Sequence, residues 1–231
     1  MNRTAIEWCD YTVNPVKGLC PVACEYCYAR RMYKRFKWDE TIRWDTRAWH
    51  EPVDIDKLSR VQPDPPSRIF VGSTMELFGP WVSDHQRYRC IEQAIRHPMH
   101  TFIFLTKRPQ ELAKQPWPSN CWLGVTAESP EHIRQRGGYG DWATAVQAKV
   151  KFISFEPLLG PFAGRIPDGI NWVIIGQQTP VRKSIQAEWV LDIIHAADIA
   201  GVPVFLKDNL KAIQLCAGQH GVLRQEYPLH A

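Results

Sequence analysis

Thr101-Phe102-Ile103-Phe104-Leu105-Thr106-Lys107-Arg108 carries the plan of this chain. Its unbroken apolar run reads as a strand covered on both faces, as in a parallel sheet. A hydroxyl and two cations follow at once. The same succession recurs at Arg68–Val71, Cys121–Val125, Lys151–Ser154, Trp172–Ile175 and Pro203–Leu206. From the first run to the last, the starts are separated by 33, 20, 30, 21 and 31 residues. Each interval leaves room for a crossover connection, in most cases a helix.

Helical segments fit between the runs. Asp84 to His97 is one, with Ser83 as N-cap and Pro98 after its end. Gln186 to Ala200 is another. Its Val190, Ile193, Ile194 and Ala197 recur at helical spacing, and Gly201 stands just past the end. Tyr28 to Lys37 is a third. Glu51–Ser67, with four prolines, reads as a connector, and Gly137–Gly140 as a loop. Alternating strand and helix imply an α/β fold with a parallel sheet. Six strands, with a further one near Trp8–Val13, suggest a full or partial (β/α) barrel of six to seven parallel strands. A doubly wound open sheet is the structural rival.

The residues after each run are polar. Ser73, Thr74 and Glu76 follow the first run, and Thr106, Lys107 and Arg108 the second. Thr126 and Glu128 follow the third, and Glu156 the fourth. Gly176, Gln177, Gln178 and Thr179 follow the fifth, and Lys207, Asp208 and Asn209 the sixth. Ligands bind at the carboxyl edge of such sheets. Solvated loops also end strands with polar residues. Repeated Glu, Lys and Arg go beyond the Gly, Asn and Ser of ordinary turns, and favour a ligand site.

Composition limits the alternatives. The chain has 231 residues, enough for a single domain spanning 1–231. It is 45% hydrophobic and 23% charged, which favours a packed core over disorder. The net charge of +4 is mildly basic, far from a polycationic arm. No apolar stretch approaches the roughly 18 residues of a membrane helix. The opening MNRTAIEWCD has no apolar h-region, so no signal peptide is expected. A cytoplasmic, reducing location follows as the expectation, and a secreted disulfide scaffold is disfavoured.

The seven cysteines divide unevenly. Cys20, Cys24 and Cys27 form C-x3-C-x2-C within a loop spanning 14–28. Three thiolates so close can surround one metal. A structural zinc site wants four ligands, and no His or Cys follows at zinc-finger spacing. Four thiolates complete an iron–sulfur cluster, so three leave one iron open. Cys90, Cys121 and Cys216 read as packing thiols. Cys9, near the cluster loop, is a candidate hydrogen-atom donor.

With Tyr26 before the last cysteine, this motif resembles the radical S-adenosylmethionine (SAM) superfamily. Trp8, Asn14-Pro15, Gly18, the cysteines and Tyr28-Ala29 resemble the opening of a phage-associated radical-SAM-like family of unassigned function. Leu105–Pro109, Gly124–Glu128, Glu156–Pro161, Trp172–Gly176 and Phe205–Lys207 resemble it too. The likeness spans about residues 4 to 228. It departs at Gln177-Gln178-Thr179, where Gly-Glu-Ser is expected, and in the short cluster loop.

The resemblance implies a barrel of radical-SAM type and a [4Fe–4S] cluster on Cys20, Cys24 and Cys27. It implies that the open iron chelates SAM. One electron then yields methionine and a 5′-deoxyadenosyl radical, which abstracts a substrate hydrogen. A flavodoxin or ferredoxin would donate the electron. Ser73, Thr74 and Glu76 would bind the SAM amino group, and Lys107 or Arg108 its carboxylate. Glu128 and Glu156 would hold ribose hydroxyls or act on substrate. Gly176 would admit the adenine, and Tyr26 and Tyr28 would shield the cluster or stack on adenine. Two structural alternatives stand beside these roles: Lys107 and Glu128 as a buried ion pair, and Glu156-Pro157 as a strand terminator.

Arg30-Arg31-Met32-Tyr33-Lys34-Arg35-Phe36-Lys37-Trp38 interleaves cations with aromatics, and Arg43, Trp44, Arg47 and Trp49 continue the pattern. This suits phosphate contact and base stacking. The alternative is a helix with an aromatic core face and a solvated basic face. If the segment binds nucleic acid, modification or repair of a base in DNA or RNA is the expected reaction, and a free nucleoside or other small anion is the rival substrate. The rival function is a metal-stabilised nucleic-acid-binding module, with zinc or a structural Fe–S centre and no catalysis.

Overall fold

The structure is a computed structural model. It describes residues 1–49, 65–135, 140–162, 164–180, 185–211 and 222–228. Most of the Glu51–Ser67 connector, the Gly137–Gly140 loop up to its last residue, and Cys216 lie outside the described residues. The fold is mixed α/β with mostly parallel strand pairing. The chain divides into two compact units.

The first unit holds residues 1–106 and 117–121. Its strands are β1 (Asn2–Arg3), β2 (Tyr11–Val13), β3 (Val16–Lys17), β4 (Arg43–Trp44), β5 (Arg68–Val71) and β6 (Thr101–Thr106). β2, β5 and β6 run parallel, with Val13 opposite Val71 and Val71 opposite Phe104. β1 adds antiparallel to β2, and β3 pairs antiparallel with β4 in a separate ladder. The strand expected near Trp8–Val13 is thus β2, and Trp8 lies in the preceding turn, buried against Phe70.

Helix α1 (Tyr28–Phe36) follows the cysteine loop. Helix α2 (Asp84–Arg96) starts as the sequence indicates. Ser83 Oγ accepts from Gln86 N–H, and the Gln86 side chain accepts from Ser83 N–H. This reciprocal box satisfies two N–H groups that the helix cannot satisfy itself.

Asp10 fastens the start of β5. Its carboxylate accepts from Arg68 N at 2.8 Å, and from Arg68 Nε and Nη2 at 3.2 Å. Burial pushes this carboxyl up, but the hydrogen bonds and charge of Arg68 outweigh it, and the result is a lowered pKa. A carboxyl lowered in the folded state contributes stability above its unfolded pKa, and loses it as pH falls through the folded value. Asp10→Asn is therefore expected to flatten the fall of Tm on acidification below about pH 4. Thermal melts of both proteins from about pH 6 to about pH 2 check this. Parallel acid limbs would contradict it.

The second unit holds residues 107–116 and 122–231. Its elements are a 3-10 helix (Pro109–Lys114), β7 (Cys121–Thr126, from Trp122 on), α3 (Pro130–Gln135), α4 (Gly140–Ala145), β8 (Val150–Phe155), β9 (Trp172–Ile175), α5 (Ala187–Ala200), β10 (Val204–Leu206) and a 3-10 turn (Asp208–Leu210). β7, β8, β9 and β10 pair in parallel, in that order. Gly201 closes α5 in the left-handed conformation, with φ 66°.

Strand alternation divides this unit's residues by face. Trp122, Phe152, Trp172 and Phe205 fall on one face, with Trp172 packed against the other three. The Phe152 ring occupies the space over Gly124, where a Cβ would meet it at 2.2 Å. Trp172 is wholly buried, and its indole N–H donates to Glu226 O at 2.8 Å. Continuing the alternation toward the carboxyl ends brings that face to Glu128, Glu156, Gly176 and Lys207.

Candidate functional site

In the first unit, the cysteine loop is fastened to the segment after β5. Cys20, Cys24 and Cys27 are partly exposed thiols outside any disulfide. Ala23 adopts φ 56°, an uncommon conformation for alanine, where the chain turns from the first cysteine to the second. Tyr33, on the first turns of α1, reaches back so that its hydroxyl accepts from Gly18 N–H at 2.7 Å. Arg30 donates to Cys20 O at 2.8 Å. Gly18 itself sits at φ 114° against Thr41 and Ile42, where a Cβ has no room.

Three links run from this loop region to the post-β5 segment. Glu76 N–H points at Cys20 Sγ, 3.5 Å away. The Tyr28 hydroxyl donates to Ser73 O at 2.9 Å. Asn14 donates to Ser73 Oγ at 3.1 Å and accepts from Thr74 N–H at 3.0 Å. Of Ser73, Thr74 and Glu76, expected together from their position after a strand, Glu76 meets the first cysteine through its N–H, and Ser73 and Thr74 meet Asn14 and Tyr28. Asn14 was read only as part of the opening motif, and its role as the brace between two loops emerges from the fold. The Glu76 carboxylate is nearly buried and accepts from Thr106 Oγ1 at 2.6 Å and Phe78 N–H at 3.0 Å. That oxygen is therefore engaged in shaping the loop.

Burial pushes the Cys20 thiol up, while N–H groups of Glu76 and Val22 pull the other way. Such N–H donors favour a thiolate. By donor type the loop suits a sulfur-ligated metal centre. The three side chains stand without convergence: among the described residues, no group of three His, Cys, Asp or Glu is gathered at metal-holding distance. Tyr26 is partly exposed between Cys24 and Cys27. Cys9 is buried in the turn before β2.

Cys90 and Cys121 behave as packing groups. Cys90 on α2 and Cys121 on β7 are wholly buried. Burial alone pushes the Cys121 thiol up to about 12.

In the second unit, the charged residues after the strands are paired with each other. Lys107 forms an ion pair with Glu128, whose side chain is 1% exposed. His132 Nδ1 lies 3.4 Å from the other Glu128 oxygen. Lys207 pairs with Glu156 in the same way. Arg108 is more open, 3.7 Å from Glu111. Lys107–Glu128 is the buried pair that the sequence left as an alternative.

Gly176 has a local reason to be glycine. A Cβ there would stand 2.9 Å from Lys207 Cδ and 3.3 Å from Glu156 Cγ. The missing side chain makes room for the Lys207–Glu156 ion pair to cross. Beyond it, Gln177 and Asn209 exchange hydrogen bonds, and Asn209 also donates to Thr179 Oγ1 at 3.2 Å.

A family model described as "Protein of unknown function (DUF5131)" matches residues 3–216. The chain belongs to that family. The match covers the cysteine loop and the strands from β2 to β10. No curated protein and no solved structure matches the chain. Membership of the DUF5131 family therefore brings no activity with it, and the chemistry rests on the residues. No described helix is long and apolar enough to cross a membrane.

Proposed function

We propose that this protein is a radical SAM enzyme acting on a nucleic acid or nucleoside, with its strands arranged as a partial (β/α) barrel of that type. Cys20, Cys24 and Cys27 would hold a [4Fe–4S] cluster. The observation that carries the reading is the fastening of a C-x3-C-x2-C loop to the Ser73–Glu76 segment at a strand's carboxyl end. When bound, such a cluster supplies an electron and an open iron that chelates the amino and carboxylate groups of SAM.

The chain's own residues hold and orient. Ser73 and Thr74, fixed by Asn14, offer hydroxyls to an ammonium group. Glu76 adds negative charge beside them and is kept rigid by Thr106 and Phe78. Tyr28, hydrogen-bonded to Ser73 O, ties the end of the cysteine loop to the same segment. In the same reading, Arg108 takes a carboxylate more readily than Lys107, because Lys107 is already held by Glu128. Glu128 and Glu156 hold ribose hydroxyls only where their lysines release an oxygen. A flavodoxin or ferredoxin donates the electron.

The test is reductive cleavage of SAM. Anaerobically reconstituted protein with dithionite and SAM is expected to form methionine and 5′-deoxyadenosine, separated by chromatography. A colourless chain that binds zinc and leaves SAM intact would support the non-catalytic binding module instead.

A further inference from the structure

Helix α1 ends in a basic and aromatic cap that is only partly used in packing. Its sequence, Tyr28–Phe36, contains Arg30, Arg31, Lys34 and Arg35 and no acidic residue. Lys37 follows in the left-handed conformation, φ 52°, and reverses the chain. The reversal lets Trp38 N–H donate to Tyr33 O at 3.2 Å. It also brings the Trp38 ring edge-on to buried Tyr33, with centroids 5.3 Å apart. Trp38 then lies stacked with Phe36, at 5.4 Å and 23° between planes. Arg35 sits over the Phe36 ring at 5.2 Å.

Both rings are open to solvent, Phe36 51% and Trp38 45% exposed. Exposed large aromatics held in a fixed stack form a platform, and a third flat ring can extend it. Arg35 lies over the Phe36 ring, Lys34 and Lys37 are close to it along the chain, and no ion pair with a carboxylate is formed by the three among the described residues. Asp39 is taken by Arg43 at 2.7 Å. The surface therefore combines stacking rings with uncompensated positive charge.

We infer that this platform binds single-stranded nucleic acid, with unpaired bases stacked on Phe36 and Trp38 and phosphates against Lys34, Arg35 and Lys37. Charge complementarity selects a polyanion, and the rings select one whose flat faces are free. A duplex stacks its own bases and offers the rings no face. A membrane surface fits less well, because interfacial helices present a broad apolar face. Here the exposed apolar groups of α1 and its cap are Tyr28, Phe36 and Trp38, and Tyr28 is bonded to Ser73. The platform lies one helix length, about 14 Å, along α1 from Cys27. A strand held there is placed to present a neighbouring nucleotide to the cysteine loop. As the substrate of the proposed chemistry the strand rests on that reading; as a ligand it stands without it.

Fluorescence anisotropy of the full chain with labelled oligothymidylate of about 12 nucleotides tests the inference without SAM or reductant. A matching oligouridylate arm distinguishes DNA from RNA. Binding is expected to either strand and weaker for duplex. Phe36→Ala with Trp38→Ala is expected to weaken it about tenfold or more, while Trp38→Tyr retains most of it. Replacing Lys34, Arg35 and Lys37 with Gln is expected to make the salt dependence shallower by about two in log–log slope. Circular dichroism confirms that each variant is folded. Equal binding by the double alanine variant would overturn the inference. So would binding of anionic phospholipid vesicles without binding of either strand. Strand binding by a chain that leaves SAM intact would uphold this inference and remove the enzymatic one.

Discussion

Cys24→Ala is expected to reduce bound iron from about four per chain to a small fraction of that and to abolish SAM cleavage. The fold should survive. Cys24 is partly exposed, in a loop, and in no disulfide, so its removal leaves neither a core cavity nor a broken crosslink. Far-UV circular dichroism and Tm of the metal-free protein are expected to match the parent. Cys90→Ala provides the contrast. Cys90 is buried on α2, so that variant is expected to lose about 1 kcal/mol of stability while keeping its iron and its cleavage activity. Iron retained by Cys24→Ala, or lost equally by both variants, would contradict the assignment of ligands.

Lys107→Met is expected to be the most destabilising single change, by about 3–5 kcal/mol. The reason is Glu128, which is 1% exposed and would keep a charge with its main partner removed. His132, on α3 at 3.4 Å, compensates only in part. Removing both charges, Lys107→Met with Glu128→Met, is expected to recover most of the loss, because two apolar side chains carry no buried charge to compensate. Lys207→Met should cost less, since its partner Glu156 is 25% exposed and can be hydrated. Urea unfolding of the three variants beside the parent gives the ranking. A Lys107→Met loss below about 1 kcal/mol would show the pair to behave like a surface contact.

The strands were legible because buried parallel strands read as continuous apolar runs. Arg68–Val71 and Trp172–Ile175 agree to the residue, and the others differ by one residue at one end or both. Helix α2 was legible from its Ser83 cap, and α5 from Gly201. β1, β3 and β4 have two residues each, too few for any periodicity. The 3-10 helix Pro109–Lys114 and the short helices α3 and α4 also escape pattern reading, having too few turns to show a face.

Within the site, residue types were legible, and of the partners only the Lys107–Glu128 pair was named, as an alternative to ligand roles. Lys107 meets Glu128 across 21 positions of sequence, and Lys207 meets Glu156 across 51. Asn14 reaches Ser73 across 59. Such pairings depend on strand order and register, which no local pattern encodes. Gly176 shows the same limit. Its sequence position suggested approach by a ligand, and gave no sign that the side chains of two distant residues need the room of a missing Cβ. Lys37 gave no sign of its left-handed turn, because lysine rarely adopts one, and so the stacking of Phe36 on Trp38 was hidden although both aromatics were noted.

The most direct test is the metal content and electron paramagnetic resonance of the chain after anaerobic reconstitution with iron and sulfide. The expected result is a brown protein with about four irons and four sulfides per chain, whose reduced spectrum changes when SAM is added. A colourless, iron-free protein, or a cluster indifferent to SAM, would contradict the proposed enzyme.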